Sequence, residues 1–347
     1  MIPAWWRKAL RRLLVAAHVV TGCTQAPSSD SGVAVSPVLA AEAPFVIRAF
    51  HPWNDGRWIG NAIAYGPFRD GQSPSGAAPH RGELREDLEI LSRHWKLLRV
   101  YGAGGPTEEI LEVIRADALD MRVMLGIWIA PEEPPDGPES ANRREMDTAL
   151  RLSAAYPDVV TAISVGNETQ VFWSAHRVDV QRLIGLVREV RARTSMPVTV
   201  ADDFNFWNKP ESRLLAREVD FIVTHIHPLW NGRQLDDAVE WTRTLLAEVQ
   251  AVHPDRKIVL GETGWATAKH NEGEQHRLIR GRVGEEEQRI FYEALRRWAT
   301  QQRVPTFFFE AFDEKWKGGP HPDEVEKHWG LFRSDRSPKK AMVEWVR

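Results

Sequence analysis

The stretch Lys257-Ile-Val-Leu-Gly-Glu-Thr-Gly-Trp265 sets a carboxylate in an unusual place. Its apolar run lacks polar alternation, which suits a strand buried on both faces. Glu262 follows that run, flanked by two glycines that let a ligand come close and by a tryptophan with a flat apolar face. Alone, an ordinary solvated glutamate explains the pattern equally well. A second carboxylate occupies an equivalent position: Ile163-Ser164-Val165-Gly166-Asn167-Glu168 also reads as a strand that ends on a glutamate. Two facing carboxyl groups can divide the work of cleaving an acetal. One is protonated and donates to the leaving oxygen, while the other is ionised and attacks carbon or activates water. A separation of about 5–5.5 Å goes with retention at that carbon and about 6.5–9.5 Å with inversion. Mutual repulsion and partial burial would raise one pKa and keep that group the acid.

Other chemistry is less well served. His225 and His227 are two apart, which puts both on one face of a strand; they fit a polar lining better than a metal site, though either is open. Asp202-Asp203 could be a metal pair, but a turn with one helix-capping Asp explains it as well. There is no Gly-x-Ser-x-Gly elbow and no His-Glu-x-x-His helix. No cofactor is implied.

The two glutamates need a scaffold that holds them face to face. The chain supplies an alternation of short apolar strands and helical segments. Strands are expected at Ile59–Tyr65, Leu97–Tyr101, Arg122–Ala130, Val159–Val165, Pro197–Ala201, Asp220–His225, Lys257–Leu260 and Thr306–Phe309. Each is followed by a helix or helix-like segment, including Arg81–Trp95, Ser140–Tyr156, Val178–Thr194, Gln234–Val252 and Glu285–Thr300. Strict alternation implies parallel strands with crossover helices. Eight units suggest a single α/β domain, a closed (β/α)8 TIM barrel over residues 45–347. An open doubly wound sheet is the rival, but the loop after the first strand is neither GxGxxG nor a Walker loop. In a barrel, strand ends line one mouth. Here they carry Tyr65, Tyr101, Trp128, Asn167-Glu168, Asp202-Asp203, His225 and His227, Glu262, and Glu310 to Glu314.

Composition fits an exported soluble protein. The 347 residues carry a formal net charge of −3, with 15 Trp against 4 Tyr. So many tryptophans suggest a cleft for flat apolar faces such as sugar rings, with others in the core. Residues 1–22 combine Arg7, Lys8, Arg11 and Arg12 with an apolar segment too short to span a membrane. Val20-Thr21-Gly22-Cys23 looks like a bacterial lipoprotein signal with Cys23 as the acylated residue; an ordinary cleaved signal with an incidental cysteine is the alternative. Without those four basic residues the remainder is more acidic, a poor nucleic-acid binder. Residues 23–44, rich in Ser, Ala and Pro, read as a flexible tether. The lone cysteine allows no internal disulfide. A monomer in the cell envelope is expected, meeting membrane only through a lipid anchor.

Longer motifs now bear on the reading. The two glutamate segments resemble the signature segments of glycoside hydrolase family 17, the β-1,3-glucanases and related transglucosylases. Tyr65-Gly66-Pro67-Phe68, Leu98-Arg99-Val100-Tyr101, Phe308 to Lys317 and His328-Trp329-Gly330-Leu331-Phe332 resemble other segments of its bacterial branch, in order. The resemblance implies a retaining (β/α)8 enzyme on β-1,3-glucan, with Glu168 as acid/base and Glu262 as nucleophile. It implies that Asn167 bonds a sugar 2-hydroxyl, that Tyr65 and Tyr101 line the cleft, and that Glu314 and Lys317 lie in it. His227 stands where plant members have Tyr. His225, Trp230, Trp265 and Trp316 are expected near sugar, as is Trp128, with about half of the tryptophans in the core instead. The charged loop Lys269–Gly284 could wall one end of the cleft and favour exo action, or be surface alone. Hydrolase, transglucosylase and inactive glucan-binding protein all remain open at this point.

Overall fold

The structure is a computed structural model that describes residues 45–131 and 140–343. The signal segment, Cys23, the tether and most of the Pro-rich loop after Ala130 lie outside the described residues. Among the described residues no helix is long and apolar enough to cross a membrane.

A two-stranded hairpin, β1 (Trp53–Asn54) and β2 (Arg57–Trp58), precedes the barrel. Eight strands then form a closed parallel ring: β3 (Asn61–Ala64), β4 (Leu97–Val100), β5 (Arg122–Ile127), β6 (Val160–Asn167), β7 (Val198–Asp203), β8 (Ile222–His225), β9 (Ile258–Thr263) and β10 (Thr306–Phe308). Closure comes where Thr306 pairs with Asn61 and Phe308 with Ile63. The long outer helices are α1 (Arg81–Ser92), α2 (Thr107–Ala116), α3 (Ala141–Ala155) and α4 (Val180–Arg193). After β7 come two single turns, α5 (Phe204–Trp207) and α6 (Arg213–Ala216), and after β8 comes α7 (Leu235–Val252). Then follow α8 (Gly273–Leu278), α9 (Glu285–Gln302) and α10 (Lys340–Val343). The expected eight strand–helix units are therefore present and closed. The hairpin, α5 and α8 were not foreseen, being too short to leave a periodic signal.

Strand residues are buried on both faces, as their unbroken apolar runs require. Outward residues such as Leu98, Val100, Ile163 and Leu260 pack against the helices. Inward residues Ala62, Leu97, Met124, Ala162, Ala201, Val223, Val259 and Phe307 fill the barrel. Phe50 stacks on Phe221 with centroids 4.6 Å apart and belongs to this interior cluster, so the chain before the barrel plugs its N-terminal end. Polar inward residues lie further along the strands, toward the C-terminal mouth.

Three strand pairs depart from regular register near that mouth, with the extra residue in β6 or β9. The shifts fall between Ser164 and Asn167, between Thr224 and His225, and in β9 opposite Thr306 to Phe308. Irregularities of this kind re-aim side chains next to active sites. Strands β6, β7 and β9 also run past their expected ends, so Asn167, Asp203 and Glu262 lie within strands rather than after them.

Tyr65 was expected in the cleft. It is 1% exposed, and its hydroxyl donates to Asp87 of α1 at 3.0 Å. Asp87 also accepts from Arg336 Nε at 2.7 Å and Nη2 at 2.6 Å, and from Arg69 at 2.9 Å. This knot ties α1 to the loop after β3 and to the C-terminal segment. Replacing Asp87 with Ala strands the buried Arg336 guanidinium without a counter-charge. The loss should be about 3–5 kcal/mol, read as a lower denaturant midpoint with an unchanged m-value.

Candidate active site

Strand β4 reads Leu97-Leu98-Arg99-Val100, all buried. Leu97 faces the barrel interior, so Arg99, two residues on, does too. A buried guanidinium in an apolar strand needs acceptors. Arg99 finds two: Nη1 donates to Glu262 Oε1 at 2.6 Å and Nη2 to Asn167 Oδ1 at 2.6 Å. One side chain from β4 thus orients both glutamate-bearing strands. The Tyr101 ring lies under the same guanidinium at 4.5 Å. Burial and the Glu262 charge push the Tyr101 hydroxyl well up from its ordinary pKa.

Glu262 is 6% exposed and is held from a second side by strand β8. His227 Nε2 lies 3.3 Å from its Oε2, and His225 Nε2 is 3.5 Å from its Oε1. Burial works to raise its pKa, but His225, the bond from His227 and Arg99 together hold it well below the usual carboxylate range. His227 is itself wedged edge-on between Phe309 and Trp329. Burial lowers its pKa, but the Glu262 bond and charge outweigh that and raise it. Gly261 makes this packing possible, because a Cβ there would come within 2.1 Å of Val223 Cγ1.

Glu168 completes the constellation. It sits just past β6 on a left-handed backbone with φ 50°, two residues after Gly166 at φ 81°. Non-glycine residues adopt this region at a cost that functional sites commonly bear. Its Oε1 is 3.2 Å from His225 Nδ1. One donor atom from each of Glu168, His225 and Glu262 lies within 4.8 Å of the others. A cation could use such a trio, but the Arg99 guanidinium already occupies Glu262 Oε1. The donor set therefore suits organic chemistry better than a metal.

The next ring of residues is mixed. Asp202 and Asp203 are structural: Asp202 accepts from the Gln170 backbone at 2.8 Å, and Asp203 caps α5 through the Asn205 backbone at 2.8 Å. Burial and the nearby Glu168 charge raise both, Asp203 to about 6. Glu314 is 1% exposed and accepts from the Phe68 backbone at 3.1 Å, so it pins the loop after β3. Lys317 bridges Glu310 at 2.5 Å and Glu314 at 2.9 Å and lies over the Phe309 ring. Trp316 is 42% exposed against Phe68. Trp230 donates to Glu326 at 3.0 Å. Trp265 was expected beside sugar but is core: it is fully buried, packs on Phe291, and donates to the Arg282 carbonyl at 2.9 Å. The loop Lys269–Gly284 contains α8 and is pinned, since His270 and Gln275 both reach Glu324, at 3.2 and 2.8 Å.

Sequence reasoning gave no role to Arg99, Glu310 or Glu326. Arg99 had a signal, a lone charge inside an apolar run. Glu326 had none, because its place facing His227 and Lys317 depends on the fold of the final loop.

The depressed Glu262 pKa makes a prediction about stability. A carboxylate lower in the folded state contributes stability above its unfolded pKa and loses it as pH falls through the folded value. The wild type should therefore lose more Tm than Glu262→Gln as pH drops from about 5 to 3, the range spanning the ordinary carboxylate pKa. Parallel melting curves for the two proteins would contradict the charge network.

Known proteins resemble this chain. Residues 62–330 match the BtgE/BtgC glycoside hydrolase domain. A glucan endo-1,3-beta-glucosidase, btgC of Aspergillus niger, is 26% identical over 287 residues, covering 76% of this chain and 40% of that protein. The chain thus spans less than half the length of that relative. A Schizosaccharomyces pombe glucan 1,3-beta-glucosidase is 27% identical over 278 residues, covering 76% of this chain and 81% of the relative. The crystal structure of an endo-laminarinase from Formosa superposes with a TM-score of 0.74 at 27% identity, covering 83% of this chain and 88% of that one.

Proposed function

The chain belongs to the BtgE/BtgC glycoside hydrolase family, and on that premise we propose that it cleaves β-1,3-linked glucan with retention, Glu262 acting as nucleophile and Glu168 as acid/base. One observation carries the reading: an oxygen of each carboxylate lies within 4.8 Å of the other on one barrel mouth, with Glu262 alone gripped by Arg99. That closeness matches the spacing of about 5–5.5 Å between retaining carboxyl groups rather than the wider gap that admits a water. Glutamates with different environments take different roles. Glu262, held ionised, attacks the anomeric carbon. Glu168 donates its proton to the leaving glucan oxygen, and a glucosyl ester forms on Glu262. Glu168, now a carboxylate, removes a proton from water, whose oxygen attacks the anomeric carbon and frees Glu262. Asn167, oriented by Arg99, is placed to meet the 2-hydroxyl.

A second reading rests on the loop after Glu168. Phe172 is 77% exposed, packed edge-to-face with Trp173 at 4.9 Å, while Trp128 and His176 meet at 4.5 Å. These aromatic faces just beyond the acid could hold an acceptor sugar. In that case the ester passes to glucan instead of water, and the enzyme is a transglucosylase. The pinned 269–284 loop acts as a fixed wall of the mouth under either reading. We also propose export, with Cys23 carrying a lipid anchor; Cys23→Ser should move the protein from the membrane fraction to the soluble one.

Glu262→Ala should lower kcat by several orders of magnitude on laminari-oligosaccharides, because the covalent route is lost. Azide or formate should restore turnover in that variant, with inverted product seen by NMR. Products longer than the donor would identify transfer. Turnover by the wild type with inversion would overturn the retaining scheme.

A further inference from the structure

Among the described residues, His225 lies between the two glutamates, with one ring nitrogen toward each. Its Nδ1 is 3.2 Å from Glu168 Oε1 and its Nε2 is 3.5 Å from Glu262 Oε1. The ring is fully buried, and its seat is built rather than incidental. The register shift at Thr224 and His225 brings His225 opposite Glu262, and a Cβ at Gly261 would come within 3.1 Å of the imidazole. A neutral imidazole has one donor nitrogen and one acceptor nitrogen. Placed between two carboxyl groups, it is satisfied only when one is protonated and the other is not. Arg99 and His227 grip Glu262 and settle which one is ionised.

On the retaining reading above, we infer that His225 is a positioning residue that fixes the proton distribution of the pair: Nδ1 accepts the Glu168 carboxyl proton while Nε2–H faces the Glu262 carboxylate. The reactive arrangement, acid at 168 and anion at 262, is then the one in which Nδ1 receives a proton while Nε2, 3.5 Å from Glu262 Oε1 and without a hydrogen-bond partner, turns its N–H toward the anion. The charged and titratable groups around the ring are Glu168 from β6, Asp203 from β7, Glu262 from β9, Arg99 from β4 and His227 from its own strand. The inference goes beyond charge stabilisation of Glu262, which Arg99 and His227 share.

The test compares two donors, laminari-oligosaccharide and dinitrophenyl β-glucoside, whose leaving group needs no proton. Wild type must turn over both; failure on both would overturn the glycosidase reading itself, before any variant is compared. His225→Phe should then lose at least about 100-fold in kcat/KM on the oligosaccharide, the low end of what a general acid contributes. On the dinitrophenyl donor its loss should stay within about tenfold, since glycosylation there bypasses the acid. Its basic pH limb should move down by about one unit, since the Glu168 proton loses its acceptor. His225→Gln, which keeps one donor and one acceptor, should recover most of the oligosaccharide activity with the limb near its original place. It carries the test if the Phe variant does not fold. Equal losses on both donors with an unmoved basic limb would overturn the proposal and leave His225 a packing residue.

Discussion

Arg99 and Glu262 meet at 2.6 Å inside the barrel, with side chains 2% and 7% exposed. Removing either charge from water alone would cost several kcal/mol, so each is tolerable there only because of the other. That mutual dependence organises the mouth. The second guanidinium nitrogen holds Asn167 and so fixes the end of β6, where Glu168 stands. The face of the guanidinium carries Tyr101. With its charge secured, Glu262 can remain ionised beside a second carboxyl group. A barrel without Arg99 would have to bury two carboxylates with only histidines to separate them.

The surroundings give the glutamates unlike environments. Glu262 is enclosed by a guanidinium and two imidazoles, and its side chain is 7% exposed. Glu168 rests on a left-handed turn with its side chain 29% exposed and pairs with the other ring nitrogen of His225. One group is thereby held as an anion, and the other keeps a face open to solvent. The second acidic cluster, Glu310 and Glu314 around Lys317, is a separate solution to the same problem. There burial raises Glu310 well above the carboxylate range despite the ammonium beside it.

Much of this was legible in the chain because it rests on local rules. Eight apolar runs separated by helical periods point to a closed parallel barrel rather than an open sheet, and strand ends of such a barrel share a mouth. Glu168, Glu262, His225 and His227 were found by that route. What escaped depends on contacts remote in sequence. Tyr65 and Trp265 stand at strand ends like the residues that meet at the mouth, yet Asp87 claims one and Phe291 the other. The register shifts that swing Glu262 into β9 arise from strand pairing and leave no composition signal. Arg99 could have been found, since an arginine within a strand buried on both faces demands a buried anion. Residues 1–44, which carry the export reading, lie outside the described structure.

The central claim is that Glu262 forms the covalent bond to sugar. A 2-deoxy-2-fluoro glucosyl donor with a good leaving group slows breakdown of the ester, so peptide mapping by mass spectrometry can locate it. The account predicts a single adduct on the peptide containing Gly261-Glu262-Thr263. An adduct on Glu168 or Glu310, or turnover of glucan by a protein that never accumulates any adduct, would contradict it.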